Sequence, residues 1–283
     1  MSFSNTFIDL IKQIEDYGME SSPRELKVKE ALMASIDINP TEPIADLKDR
    51  PFNFKYFAGE LAWYLHRDRD IEYISHFSSF WKGLTNPNSK QVNSNYGNLV
   101  INNQQLGWVI DSLVKDQNSR QAIMFFNRPE FQFENNKDFV CTLYANFFIR
   151  KNRLHMKLQM RSNDIFFGLT FDAPFFAFLH QSVHHILKDT YPDLELGTYF
   201  HFADNIHFYE RHFKLAENAK ENGAGTDYKM ILTNKFIDYK DGEVYLTENA
   251  REFLDRIGQA ANREIKSGEI EDYKMILNDY FEF

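Results

Sequence analysis

The chain has 283 residues, 43% of them hydrophobic and 26% charged, which suits one large globular domain or two small ones, with 28 Phe to help fill a core. No run approaches the roughly 18 apolar residues of a membrane span, and no basic and apolar leader of a secretory signal is visible. A single Cys excludes an internal disulfide, and a net charge of −9 argues against a broad nucleic-acid-binding face, so a cytosolic protein is expected, one that meets anions only where a few arginines converge.

In chain order, Phe7, Leu10, Ile11 and Ile14 recur at helical spacing and predict an amphipathic helix over 5–17. Gly18, Pro23, Pro40, Pro43 and Pro51 break 18–53 into loops around one short strand near Ala31–Ile38. Apolar positions 54, 57, 61, 64 and 65 predict a second helix, Phe54–Leu65, with Glu60 at the edge of its stripe. Thr85–Asn103 is rich in Asn, Ser and Gly and reads as an irregular loop, with a helix after it over Gln104–Val114. The apolar runs Val140–Ile149 and Leu154–Met160, joined by Lys151-Asn152-Arg153, predict a hairpin. Pro174 fits the first turn of a helix whose apolar face holds Phe175, Phe178, Leu179, Val183 and Ile186. Helices and strands mix without a strict βαβ rhythm, so the class is α+β, with the chain 1–283 as one domain and 214–283 as a partly helical extension. Asp-Tyr-Lys-Met-Ile-Leu occurs at 227–232 and again at 272–277, too short a string to establish a repeat.

Alone, Cys141 in an apolar stretch reads as an inert core residue. Its company changes that reading. Glu60-Leu61-Ala62-Trp63, Asp116 through Ser119-Arg120, Cys141, Arg161-Ser162-Asn163-Asp164 with Phe167-Gly168-Leu169, and His207-Phe208-Tyr209 follow in this order. Together they resemble the thymidylate synthase superfamily over about residues 20–213. Asn93 to Gly97, Arg128-Pro129, the Arg161–Asp164 string and Cys141-Thr142 look like its phage deoxycytidylate hydroxymethylase branch.

The resemblance implies a mixed sheet packed with helices, a sheet-mediated homodimer and a Cys141 thiolate that adds to C6 of a pyrimidine. That addition makes C5 nucleophilic toward a one-carbon unit from 5,10-methylenetetrahydrofolate. A thiolate both attacks and leaves well, but its ordinary pKa near 8.5 must fall, which needs positive charge such as Arg161 or Arg120. Arg161, Ser162 and Asn163 are implied on the nucleotide within one subunit. Arg120 is implied from the partner and Arg24 from a mobile loop, since a phosphate takes forked donors. Gln121 stands where the family usually has a second arginine. His207 and Tyr209, two apart on a strand, are implied to hold the sugar, and Tyr96 a place near the thiol. Trp81, Asp164 and Phe171 are implied folate contacts, and no metal, nucleic acid or membrane partner is implied. If the chain is phage-encoded, its compartment is the host cytoplasm.

Asp172 stands where thymidylate synthases carry Asn. A carboxyl suits the amino edge of cytosine, although a helix N-cap before Ala173-Pro174 is the plain alternative. Glu60 is implied as general acid/base, against a reading as an exposed helix carboxylate. Hydration of the transferred unit gives hydroxymethyl, and hydride transfer gives methyl. The terminal Asp-Tyr-Phe-Glu-Phe, unlike the small apolar tail of thymidylate synthases, favours hydration. His180 and His184 have zinc-compatible spacing, but no Cys or carboxylate pairs with them, and partly exposed helix histidines are expected instead. A dUMP-using thymidylate synthase or hydroxymethylase, a CMP hydroxymethylase and a non-catalytic nucleotide binder stay open as alternatives.

Overall fold

A computed structural model of the chain describes residues 2–85, 89–102 and 104–283. The opening helix, α1 (Phe3–Tyr17), turns Phe7, Leu10, Ile11 and Ile14 inward, as their spacing requires. Gly18 ends it. A Cβ there would sit 2.3 Å from the Ile14 carbonyl oxygen, so glycine lets the chain turn into β1 (Met19–Ser21). The next strand, β2 (Val28–Ile38), is longer than the short strand expected, because Lys29 and Glu30 hide its first half behind polar side chains.

Asn53 caps α2 (Phe54–His66) by accepting from the Tyr56 amide. This helix is buried from Phe57 to Leu65, which puts Glu60 inside the molecule and not at a solvent border. After the short α3 (Ile74–Phe77), a helix α4 (Tyr96–Val100) replaces part of the expected loop, whose residues 86–88 and 103 lie outside the described residues. Asn95 explains it. Its oxygen accepts from the Asn98 amide at 2.8 Å while its Nδ2 donates to the carbonyls of Trp63 and Asp68, so a loop-forming residue here caps a helix. α5 (Gln105–Lys115) follows as expected to within a residue.

Then come β3 (Ile123–Phe125), β4 (Thr142–Arg150) and β5 (Arg153–Met160). The hairpin between β4 and β5 turns on Lys151 and Asn152 alone, both at positive φ, with Arg150 and Arg153 already paired. A two-residue strand, β6 (Asn163–Asp164), leads through a wide helical turn at Ile165–Leu169 into α6 (Thr170–Leu187). That helix begins four residues before Pro174, so the proline lies past the first turn expected for it and removes the bond its N–H would have made to the Thr170 carbonyl. The long β7 (Glu195–Tyr209) completes a seven-stranded sheet of order β1-β2-β7-β5-β4-β3, with β6 against β7. β5 and β7 run parallel across the α6 crossover, and the other pairs on the main path are antiparallel.

Alternation gives the sheet two unlike faces. Phe147, Met156, Leu158 and Tyr199 are buried against the helices, whereas Tyr144, Phe148, Lys157, Phe200 and Phe202 on the other face stay half-buried. Residues 214–283 are not helical throughout. α7 (Phe213–Asn222), α8 (Glu248–Ser267) and α9 (Tyr273–Leu277) are interleaved with two small antiparallel pairs, β8 (Ile231–Leu232) with β11 (Phe281–Glu282) and β9 (Ile237–Lys240) with β10 (Glu243–Leu246). α8 braces α2 through Glu264, which takes Lys55 at 2.5 Å and His76 at 3.0 Å. The twice-used hexapeptide ends in strand β8 in its first copy and forms helix α9 in its second, so it is no structural repeat.

Candidate active site

The open end of the β4–β5 hairpin brings Cys141 and Arg161 side by side. Cys141 lies one residue before β4, not within a strand as implied, and its carbonyl accepts from the Arg161 amide at 2.9 Å. The Arg161 guanidinium donates to the carbonyls of Val140 and Phe139 and stands 3.4 Å from the Cys141 sulfur. Burial nevertheless pushes the thiol pKa above its ordinary value; Arg161 and Arg24 oppose the rise, while Asp172 and Asp138 add to it. The expectation of a lowered pKa is therefore corrected: in the free protein the group rests as a thiol, because desolvation outweighs the guanidinium.

Asp172 sits in the first turn of α6 and does not cap it. No side chain caps α6; Asp164 caps the wide turn before it, its Oδ1 accepting from the amides of Phe166 and Phe167. Asp172 instead accepts from Asn163 Nδ2 at 2.8 Å, and burial raises its pKa to about 6. Glu60 accepts a 2.7 Å hydrogen bond from the Tyr56 hydroxyl, which in turn accepts from Trp81 Nε1 at 3.1 Å. Burial raises Glu60 to about 8, with Asp172 adding to the rise and the hydrogen bonds of Tyr56 and Tyr64 resisting it. Tyr96 stacks on Tyr64 with ring centroids 5.1 Å apart, and its hydroxyl bonds that of Thr142 at 2.9 Å.

His207 and Tyr209 share one face of β7, with ring centroids 5.3 Å apart. Glu30 accepts from Asn205 Nδ2, which fixes Asn205 Oδ1 as the acceptor for His207 Nδ1–H and leaves Nε2 bare to accept from a hydroxyl. Burial lowers the His207 pKa, so this neutral form prevails. Arg24 is exposed on a turn at positive φ, close enough to act electrostatically on both Cys141 and His207. Ser162 is half-buried between Arg161 and β6. Arg120 is exposed in the loop before β3 and takes no part in the contacts around Cys141 among the described residues. Sequence reasoning missed Tyr56, which lies off the apolar stripe of its helix, and Tyr64, which helical spacing marks only as core.

His180 and His184 are buried, contrary to expectation. Each ring bonds a backbone carbonyl, Leu154 for His180 and Leu194 for His184, at 2.8 Å. Among the described residues no group of three His, Cys, Asp or Glu could hold a metal, and no helix is long and apolar enough to cross a membrane.

A sequence model of the thymidylate synthase family matches residues 5–247. The chain belongs to this family. Family members are one-carbon transferases that use methylenetetrahydrofolate as co-substrate. The deoxycytidylate 5-hydroxymethyltransferase of Enterobacteria phage T4 is 27% identical over 234 residues, 77% of this chain and 94% of the phage protein. The deoxyuridylate hydroxymethyltransferase of Bacillus phage SP01 is 26% identical over 219 residues, 72% of this chain and 56% of that protein. Thermostable thymidylate synthase A from Bacillus subtilis shares the fold, with a TM-score of 0.69 at 16% identity over 88% of this chain and 95% of the other.

A pterin ring would fit the residues present. Asp164 Oδ2 is buried without a hydrogen-bond partner, an acceptor waiting for an N–H donor. Trp81 is 6% exposed and donates to the Tyr56 hydroxyl, while Phe171, at 8%, packs against Phe52 and Tyr56.

Proposed function

We propose that the protein transfers a one-carbon unit to C5 of a cytosine 5′-monophosphate, dCMP, and hydrates it to the 5-hydroxymethyl product. The observation that carries this reading is a carboxyl, Asp172, set in the electrostatic neighbourhood of a thiol, Cys141, that Arg161 touches. The family match and the T4 relative support it.

Methylenetetrahydrofolate, when bound, supplies the one-carbon unit at the oxidation level of formaldehyde, against Trp81, Asp164 and Phe171. Arg161, Ser162, Asn163 and Arg24 hold the nucleotide, and His207 and Tyr209 take its sugar hydroxyl. Cys141 gives up its proton and adds through sulfur to C6. C5 then bonds the transferred carbon and loses its own proton. The bond from that carbon to the folate nitrogen breaks, which releases tetrahydrofolate and leaves an exocyclic methylene on the ring. Water places its oxygen on the resulting exocyclic methylene, and departure of Cys141 restores the C5–C6 double bond. Glu60, protonated near neutral pH and tied to Tyr56, is suited to hold that water and exchange a proton with it. Tyr96 bonds through its hydroxyl to Thr142, the residue that follows Cys141.

The half-buried sheet face with Phe148, Phe200 and Phe202 is the surface through which we infer a homodimer, letting Arg120 reach the partner's phosphate site. Residues 1–283 then act as one domain, in which 214–283 brace the helix that carries Glu60.

A second reading, use of dUMP, is favoured by the SP01 relative. Mass spectra of the products from dCMP and dUMP, each supplied alone with methylenetetrahydrofolate, decide between them. A gain of CH2O on dCMP supports the proposal. A gain of CH2, or reaction with dUMP alone, overturns it.

A further inference from the structure

Behind Asp172 runs a line of buried polar groups that the chemical steps do not themselves require. Asn163 Nδ2 donates to Asp172 Oδ2 at 2.8 Å. Asn163 Oδ1 lies 3.0 Å from His201 Nε2, and His201 Nδ1 lies 2.8 Å from the Tyr199 hydroxyl. Tyr199, His201 and Asn163 are no more than 2% exposed. Three elements contribute, β7 through Tyr199 and His201, β6 through Asn163 and α6 through Asp172. Gly168 keeps the last link open, since a Cβ there would stand 2.6 Å from Asn163 Nδ2 and 3.0 Å from Asp172 Oδ2.

Every link has a direction. Burial pushes His201 down to about 3, so the ring is neutral and carries one N–H. Burial also raises Tyr199, with Asp172 adding to it, so Tyr199 stays a phenol. With the phenol donating to Nδ1, Nε2 carries the ring proton and donates to Asn163 Oδ1, which leaves the amide NH2 toward Asp172, the orientation in which Asn163 Nδ2 meets Asp172 Oδ2.

We propose that Tyr199 and His201 are positioning residues that fix the orientation of the Asn163 amide, which holds Asp172 Oδ2 as a permanent acceptor and confines any carboxyl proton to Oδ1. This rests on the reading of Asp172 as the group that faces the base. A carboxyl with Oδ1 donating and Oδ2 accepting matches N3 and the amino group of cytosine. Uracil presents the reverse edge, so donor would meet donor and acceptor would meet acceptor, a mismatch that buried polar sites punish severely. A flipped amide would instead draw the proton onto Oδ2 and leave Oδ1 to accept from uracil N3–H. The line behind Asp172 thus acts as a lock on base selection, three residues away from the base.

The test compares kcat/KM for dCMP and dUMP in the wild type, Tyr199→Phe and His201→Gln. Tyr199→Phe removes only the hydroxyl, and His201→Gln keeps a donor without securing its orientation. Both are expected to lower the dCMP:dUMP ratio by about tenfold or more. An equal fall for both nucleotides marks a purely structural role and overturns the assignment. An unchanged ratio in variants of an enzyme that prefers dCMP also overturns it, while leaving the proposed function intact. A wild type that acts on dUMP alone overturns the proposed function instead. Nitrogen NMR of the wild-type His201 ring needs no variant: an Nε2–H tautomer is expected, and an Nδ1–H tautomer overturns the lock.

Discussion

The Arg161 guanidinium stands 3.4 Å from the Cys141 sulfur and is fastened to the carbonyls of Phe139 and Val140, the two residues that lead into that cysteine. One side chain thus orients the loop and opposes the desolvation that keeps the thiol protonated. A lysine supplies the charge without the fork. Arg161→Lys is expected to lower kcat/KM about 10²-fold, and alkylation of Cys141 followed against pH should show a higher thiol pKa.

Glu60 links catalysis to stability. Its folded-state pKa of about 8 lies above the ordinary 4.5, so between those values the unfolded chain releases a proton that the folded chain keeps. Stability therefore falls as pH rises through this window, by up to a few kcal/mol, and levels off once both states are ionised. Glu60→Gln removes this dependence. Thermal melts should show the variant gaining on the wild type from pH 5 to pH 8.5, while its kcat falls about 10²-fold or more.

Asp172→Asn replaces the carboxyl with the carboxamide that suits uracil. The dCMP:dUMP ratio of kcat/KM is expected to fall by about 10²-fold, with the fold retained because Asn can still accept from Asn163. Competition assays with both nucleotides present read the shift directly.

Tyr56 joins Trp81 to Glu60 through a single hydroxyl. Tyr56→Phe leaves a carboxyl that has lost a donor in a buried site. We expect kcat to fall about tenfold while KM for the nucleotide holds, because the lost contact orients the acid/base and not the phosphate. Steady-state kinetics with each substrate varied in turn checks this split.

Much of the fold was legible where one periodicity dominated. α1, α2 and the β4–β5 hairpin follow from apolar spacing, to within a few residues at their ends. β2 was underestimated because its outward residues are charged, and α4 was missed because Asn95, a loop former by composition, spends its amide on capping. The position of Cys141 beside Arg161 came from the order of motifs. The polar line Tyr199–His201–Asn163 could not be read, since pairing across β6, β7 and α6 is a tertiary fact that no local pattern encodes. Nor could the resting thiol, because burial competes with charge and only packing decides which prevails.

The central claim is a covalent bond between Cys141 and a pyrimidine carbon, and an intact-protein mass spectrum tests it most directly. Fluorine at C5 cannot leave as the C5 proton does, so 5-fluoro-dCMP with methylenetetrahydrofolate should stall the reaction with enzyme, nucleotide and folate joined. The account predicts that combined mass on the wild type, located by proteolysis to the peptide containing Cys141, and its loss in Cys141→Ser. A wild type that turns over dCMP yet carries no adduct, or carries one at another residue, would contradict it.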